Sequence, residues 1–105
     1  MKYKIQYSKV AIRDLERVRS EVLNASASND ITDKYINDLL DAVEAKAEFP
    51  KSGKPLYYEN TFTGYYFVIF KAYLAFYRVD QTSILVDRVL FSGSDYMKIL
   101  RLDNQ

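Results

Sequence analysis

The chain has 105 residues, of which 49% are hydrophobic and 28% charged, with a net charge of +1. This fits one globular domain with one core and excludes the disordered and fibrous classes. Cysteine and histidine are both absent, which removes disulfide scaffolds, thiolate metal sites and the commonest general acid–base group.

Any catalysis would have to use carboxylates, tyrosines, lysines or arginines, and no metal or cofactor is expected. No apolar run is long enough to span a bilayer. The opening MKYKIQYSKVAIRDLERV lacks the apolar region of a signal peptide. A cytoplasmic location with no membrane partner is the expectation. Residues 1–24 carry six basic and three acidic side chains, residues 25–50 two and six, and residues 51–105 seven and five. The small net charge gives no nucleic-acid footprint by itself.

In chain order, Tyr3, Ile5 and Tyr7 alternate with Lys2, Lys4 and Gln6, the period of a half-buried strand. Ser8 stands where a helix N-cap would be. From Lys9 the period becomes helical: Ala11, Leu15, Val18 and Val22 form one apolar stripe, and the helix is expected to fade near Leu23. Asn24 to Asn29 is small and polar, which suits a loop. Asp30 is the expected cap of a second helix whose apolar face runs from Ile31 through Leu39 and Val43 to Ala47. Pro50 ends that helix at about Phe49. The two helices form an αα-hairpin laid on a sheet.

Lys51 to Pro55 is a turn. Leu56 to Phe62 is an irregular edge strand broken at Glu59-Asn60, and Thr63-Gly64 is a turn signal. Gly64 to Phe91 then reads as three strands rich in β-branched and aromatic residues. The breaks fall at Lys71-Ala72 and Asp80 to Ser83. Ser92 to Asp95 is a loop, and Tyr96 to Leu102 forms one or two helical turns. The fold class is α+β: an N-terminal strand, a helical hairpin, then an antiparallel sheet of three to four strands with the helices on one face, closed by a short helical tail. One domain over 1–105 is expected.

Register decides which charges share a face of the sheet. A two-residue hairpin loop at Gln81-Thr82 puts Arg78 and Asp87 on one face and Arg88 on the other, which makes a structural ion pair. A three-residue loop brings Arg78 and Arg88 together as a small cationic site. There are ten tyrosines. Most fill the core and its rim. Tyr57, Tyr65 and Tyr66, near the Lys51/Lys54 loop, are the candidates for a binding surface, since tyrosine beside lysine can stack on bases. Lys51, Lys54 and Lys71 form a loose basic rim. Neither SGK at 52–54 nor SGS at 92–94 is a phosphate loop, and no nucleophile–base pair is visible.

The chain resembles the RelE/ParE superfamily of toxins from type II toxin–antitoxin modules. The residues that carry the likeness span nearly its whole length. KIQYSKVAIRDLERV resembles the opening strand followed by "S..A..DL". DKYINDLLDAVEAKAEFPKSGKPL resembles the second helix and its "P..G.PL" turn. GYYFVIFKAYLAFYRVDQTSILVDRVLF with SDYMKIL resembles the core strands and the "D...IL" tail. The resemblance implies a growth-arresting toxin, associated with plasmid stabilisation, neutralised by a cognate antitoxin. Such antitoxins add an amphipathic helix or a strand, and the Leu56–Phe62 edge and the outer side of the first helix are the candidate docking surfaces.

The resemblance also implies two possible targets. Nuclease members place polar groups at strand positions that match Phe67, Ile69, Leu74, Phe91 and Ser92 here. These are apolar or small and cannot stabilise a cleaved phosphate. The expectation therefore leans to a ParE-like non-nuclease acting on DNA gyrase. The alternative is a RelE-like, metal-independent mRNA endonuclease working in the ribosome. Arg78, Arg88, Lys71 and Tyr96 would then be its candidate catalytic residues.

Overall fold

A computed structural model describes residues 2–102, so residues 1 and 103–105 of the expected domain lie outside the described part. The elements are β1 (Lys4–Tyr7), α1 (Lys9–Ser26), α2 (Asn29–Glu44), a 3-10 turn (Pro50–Ser52), β2 (Lys54–Tyr58), β3 (Thr61–Phe70), β4 (Tyr73–Val79), β5 (Ser83–Phe91) and α3 (Tyr96–Ile99). The class is α+β, as the sequence implies. The strands form one five-stranded sheet in the order β1-β5-β4-β3-β2. β1 joins β5 in parallel, from Lys4 opposite Ser83 to Tyr7 opposite Val86, and the other pairs are antiparallel. The sheet is therefore wider than expected and mixed.

Local chemistry sets most element ends. Ser8 caps α1, its Oγ accepting from the Ala11 N–H at 2.9 Å. α1 runs past the expected end at Leu23 to Ser26. It stops where Ala27 turns left-handed at φ 55° and its N–H bonds the Leu23 carbonyl. The cap of α2 is Ser28 rather than Asp30. Its Oγ accepts from the Ile31 N–H at 3.2 Å, and Thr32 Oγ1 donates to its carbonyl at 2.7 Å. Asp30 is instead a first-turn acid, which favours the positive helix end. α2 stops at Glu44 rather than near Phe49, because the chain must turn before Pro50 to cross the sheet.

The expected edge strand Leu56–Phe62 is a hairpin. Glu59 and Asn60 at its tip both have positive φ, 49° and 68°, which suits a two-residue turn. Thr63-Gly64 lies within β3, where Gly64 at φ 91° bends the strand.

Both faces of the sheet are covered. On one face Ala11, Val18, Leu39 and Val43 of the helices pack on Val68, Ala75, Tyr77, Ile84, Val86 and Val89. On the other face Leu56, Leu74, Phe76 and Leu90 pack with Leu102 under Tyr96, Met97 and Leu100. The C-terminal segment is thus a strap on the face opposite the helices. The 3-10 turn is pinned by Tyr77, whose buried hydroxyl donates to the Pro50 carbonyl at 2.6 Å. A Cβ at Gly53 would sit 2.1 Å from that hydroxyl oxygen, so only glycine fits there.

The strongest tie between layers is Asp14, a carboxylate only 2% exposed. β1 pairs β5 only as far as Val86. Beyond that point α1 supplies the partners for the strand's bare edge. Ser8 Oγ donates to the Asp87 carbonyl at 2.8 Å, Asp14 Oδ2 accepts from the Val89 N–H at 2.9 Å, and Arg17 Nη2 donates to the Val89 carbonyl at 3.0 Å. Asp14 also holds Arg88 Nε at 2.8 Å, Arg88 Nη2 at 3.1 Å and Arg17 Nη1 at 2.9 Å. Burial pushes the Asp14 carboxyl up, but the bonds from Arg88, Val89 and Arg17 outweigh it and hold it below its ordinary value.

Asp14→Asn leaves Arg88 poorly paired and should cost about 3 kcal/mol of stability in urea unfolding, as for other broken buried pairs. The folded carboxyl titrates below the unfolded one. Its contribution is therefore present above about pH 4 and lost as pH falls through the folded value. Unfolding free energy should fall on that acid limb, and the Asn variant should fall less steeply. Equal slopes would show that Asp14 is not the linked group.

Candidate functional site

The β4–β5 hairpin fixes where the arginines go. Asp80 and Ser83 close a two-residue loop through a 2.8 Å backbone bond. Arg78 pairs with Leu85 and Tyr77 with Val86, but Phe76 then pairs with Arg88. Asp87 is the extra residue of a bulge, a device that re-aims side chains and sharpens twist.

On the strap side, Arg78 grips Asp87 with two bonds, Nε to Oδ2 at 2.7 Å and Nη2 to Oδ1 at 3.3 Å. Tyr65 donates its hydroxyl to the same Oδ2 at 2.8 Å, and its ring lies 5.9 Å from the Arg78 guanidinium carbon. Gln6, Tyr7, Ser8 and Leu85 complete the walls of a shallow hollow here. Arg88 stands opposite Phe76, so the bulge brings it to the strap side with Arg78 rather than to the other face expected for a two-residue loop; it bonds Asp14 of α1. The Arg78–Asp87 ion pair is found, and the two arginines are each held by their own carboxylate.

The three side chains of this cluster are bonded to one another. Arg78 is neutralised by a two-pronged carboxylate contact. Burial, then the hydrogen bond and charge of Asp87, push the Tyr65 hydroxyl up to about 12, so it holds its proton at neutral pH and cannot serve as a base. Lys71 sits in the β3–β4 turn at φ 51°. Its ammonium lies 4.9 Å from the Tyr35 ring and 5.5 Å from the Phe70 ring, a cation–π contact remote from either arginine pair. Tyr96 packs its ring 5.2 Å from Phe76 as part of the strap. Of the four candidate catalytic residues, Arg78, Arg88 and Tyr96 lie on the strap side around Phe76, with both arginines paired to carboxylates, and Lys71 lies apart.

Lys51 and Lys54 are exposed at the 3-10 turn and the start of β2. Tyr57 and Tyr66 belong to an aromatic row on the helix side of the sheet, joined through Phe62. Tyr65 is on the opposite side, with Arg78. The expected binding residues are split between the two faces. Among the described residues no cluster of His, Cys, Asp or Glu could hold a metal ion, and no helix is long and apolar enough to cross a membrane.

Two features escape the sequence reading. Asp14 occupies the apolar stripe itself, three residues after Ala11 and four before Val18. A carboxylate in that position is a signal for a buried, satisfied acid. The Tyr65–Asp87 bond links residues 22 apart and depends on the bulge, which no local pattern announces.

The family model described as ParE toxin of type II toxin–antitoxin system, parDE, matches residues 5–96. No curated protein matches the chain. Among solved structures, the fold is similar to one from the chromosomal ParDE toxin–antitoxin system of P. aeruginosa, with a TM-score of 0.70 at 15% identity over 85% of this chain and 95% of that one. It is also similar to a chain of the RelBE2 toxin–antitoxin complex of Mycobacterium tuberculosis, with a TM-score of 0.57 at 22% identity over 87% and 99%. A third likeness is to the RelB–RelE antitoxin–toxin complex of Methanococcus jannaschii, with a TM-score of 0.53 at 18% identity over 88% and 95%.

Removing Asp87 should release Tyr65. In Asp87→Asn, the phenolate absorbance assigned to Tyr65, by difference from Asp87→Asn/Tyr65→Phe, should appear at lower pH than in the wild type. An unchanged titration would mean that Asp87 does not hold the hydroxyl. Because the folded values of Tyr65 and Tyr77 are both pushed up to about 12, their contribution is complete below about pH 10 and lost as pH rises toward 12. Unfolding free energy should therefore decline above pH 10.

Proposed function

The chain belongs to the ParE toxin family of type II toxin–antitoxin systems, and from that premise we propose that it arrests growth by binding DNA gyrase in the cytoplasm rather than by cutting mRNA. The observation that supports this reading is the commitment of both strand arginines to carboxylates, Arg78 to Asp87 and Arg88 to Asp14. Phosphodiester cleavage needs cations or donors aimed together at one phosphate and a group able to take a proton. Arg78 and Arg88 are each neutralised by a carboxylate, Lys71 sits in the β3–β4 turn against Tyr35 and Phe70, and Tyr65 keeps its proton at neutral pH. A binding toxin needs only a rigid face. The sheet supplies one, stiffened by the Tyr65–Asp87–Arg78 cluster.

The proposed partner that neutralises it is a cognate antitoxin, as in the complexes of RelBE2 and RelB–RelE to which the fold is similar. Ile12 and Leu23, 48% and 37% exposed, lie three turns apart on the outer side of α1 and suit the apolar face of an antitoxin helix. The β2 edge is the weaker docking surface. Lys54 and Pro55 stand at its start, and both discourage strand addition.

The test is induction of the toxin without antitoxin, followed by separate assays. Plasmid supercoiling by gyrase should be inhibited, and primer extension on translating ribosomes should show no new 5′ ends. Arg88→Ala should lower the yield of folded protein but produce no change in mRNA integrity. New 5′ ends that disappear in Arg78→Ala, with supercoiling intact, would replace this reading with the ribosome-dependent nuclease.

A further inference from the structure

The sheet has two edges, and they are built differently. β2 is guarded by Lys54, Pro55 and a register shift against β3, features that discourage strand addition. β1 has no proline and runs in unbroken register with β5. The Lys4 N–H donates to the Thr82 carbonyl and the Ser8 N–H to the Val86 carbonyl, both at 2.9 Å. Backbone groups alternate in direction along a strand, so Ile5 and Tyr7 aim theirs at the outer edge. Neither N–H has a protein partner among the described residues. The segment after α2 closes this edge at Tyr3, whose N–H donates to the Ala47 carbonyl at 2.8 Å, and leaves the stretch beyond it open.

We infer that the outer edge of β1 is a strand-addition site for an extended acidic segment of a partner protein. Three observations select that occupant. First, the open groups are ladder donors and acceptors, which another extended backbone satisfies. Second, the field is positive. Lys2, Lys4, Lys9 and Arg13 are the charged residues of positions 1–13, with no acid among them. All four are exposed, and none is in an ion pair among the described residues. α1 begins just beyond β1 and has no acid in its first turn, so its positive end adds to that field. Third, a second copy would bring one basic edge against another, which charge opposes. The side-chain pattern of the segment follows as well. Ile5 and Tyr7 face the helix side and pack on the core. There burial, then the charge of Glu44, push the Tyr7 hydroxyl up to about 12. Lys4 faces the other side. The segment therefore alternates, with apolar residues on the helix side and carboxylates beside Lys4. The site is separate from the arginine pairs, and it stands whether or not gyrase is the target.

The test is titration of the full chain with a short labelled peptide of alternating glutamate and valine, over about 1 μM to 1 mM, with amide exchange followed by NMR. Saturable binding is expected, and exchange at the Ile5 and Tyr7 amides should slow about tenfold or more as they enter a ladder. Lys4→Glu should weaken binding about tenfold. Lys4 is exposed, and circular dichroism checks that the fold is kept. The same peptide with lysine in place of glutamate should bind about tenfold more weakly to the wild type, and methylation of the peptide's backbone nitrogens should abolish binding. No binding up to the highest concentration, equal binding of the lysine peptide, or binding that leaves the Ile5 and Tyr7 amides exchanging freely overturns the proposal. So does slowing of these two amides with protein concentration alone, which would mark a second copy as the occupant. Tighter binding of a labelled single-stranded oligonucleotide that Lys4→Glu abolishes would also overturn it.

Discussion

The bond between Asp14 and the β5 edge is the constraint on which the rest of the structure depends. A strand edge without a neighbour exposes backbone groups that must find partners. β1 is too short to cover β5, so α1 completes the edge with side chains in place of a strand. Ser8, Asp14 and Arg17 supply the missing donors and acceptors. That places α1 along β5, sets the tilt of the helical hairpin, and defines which part of the sheet stays bare. The carboxylate is buried, and such a group is tolerated only when its bonds are complete. Arg88, Arg17 and the Val89 N–H complete them.

The same bond has a consequence for chemistry. The bulge brings Arg88 onto the strap side with Arg78, yet Asp14 holds it at the β5 edge. Arg78 is neutralised by Asp87, the extra residue of the same bulge. The two arginines near this hairpin are therefore both committed to carboxylates. That pairing follows from register, bulge and one buried acid together.

The periodic parts of the fold are legible in the sequence. The switch from period two to helical spacing at Ser8, and the breaks at Lys71 and Asp80, mark β1, α1 and the strands of the meander. The two-residue loop at Gln81-Thr82 is the alternative found, but a bulge at Asp87 that no local pattern announces pairs Arg88 with Phe76 and brings it to the face of Arg78. What depends on distant contacts is not legible. The parallel pairing of β1 with β5 spans 79 residues from Lys4 to Ser83, and nothing in either strand states it. The Ser28 cap is hidden because Asp30 is an equally good local candidate. Thr63-Gly64 resembles a turn, yet Gly64 serves a bend inside β3. Asp14 shows in the sequence as a polar residue in an apolar stripe, but its partner lies 74 residues on.

The account rests on Arg88 being held by Asp14 rather than left free to serve the open face. A double-mutant cycle with Asp14→Asn and Arg88→Gln, read by urea unfolding, measures that bond directly. A coupling energy above about 1 kcal/mol is predicted, within the range seen for residues of one ion-pair network. Additive losses would mean that the two side chains act independently, and would contradict the account.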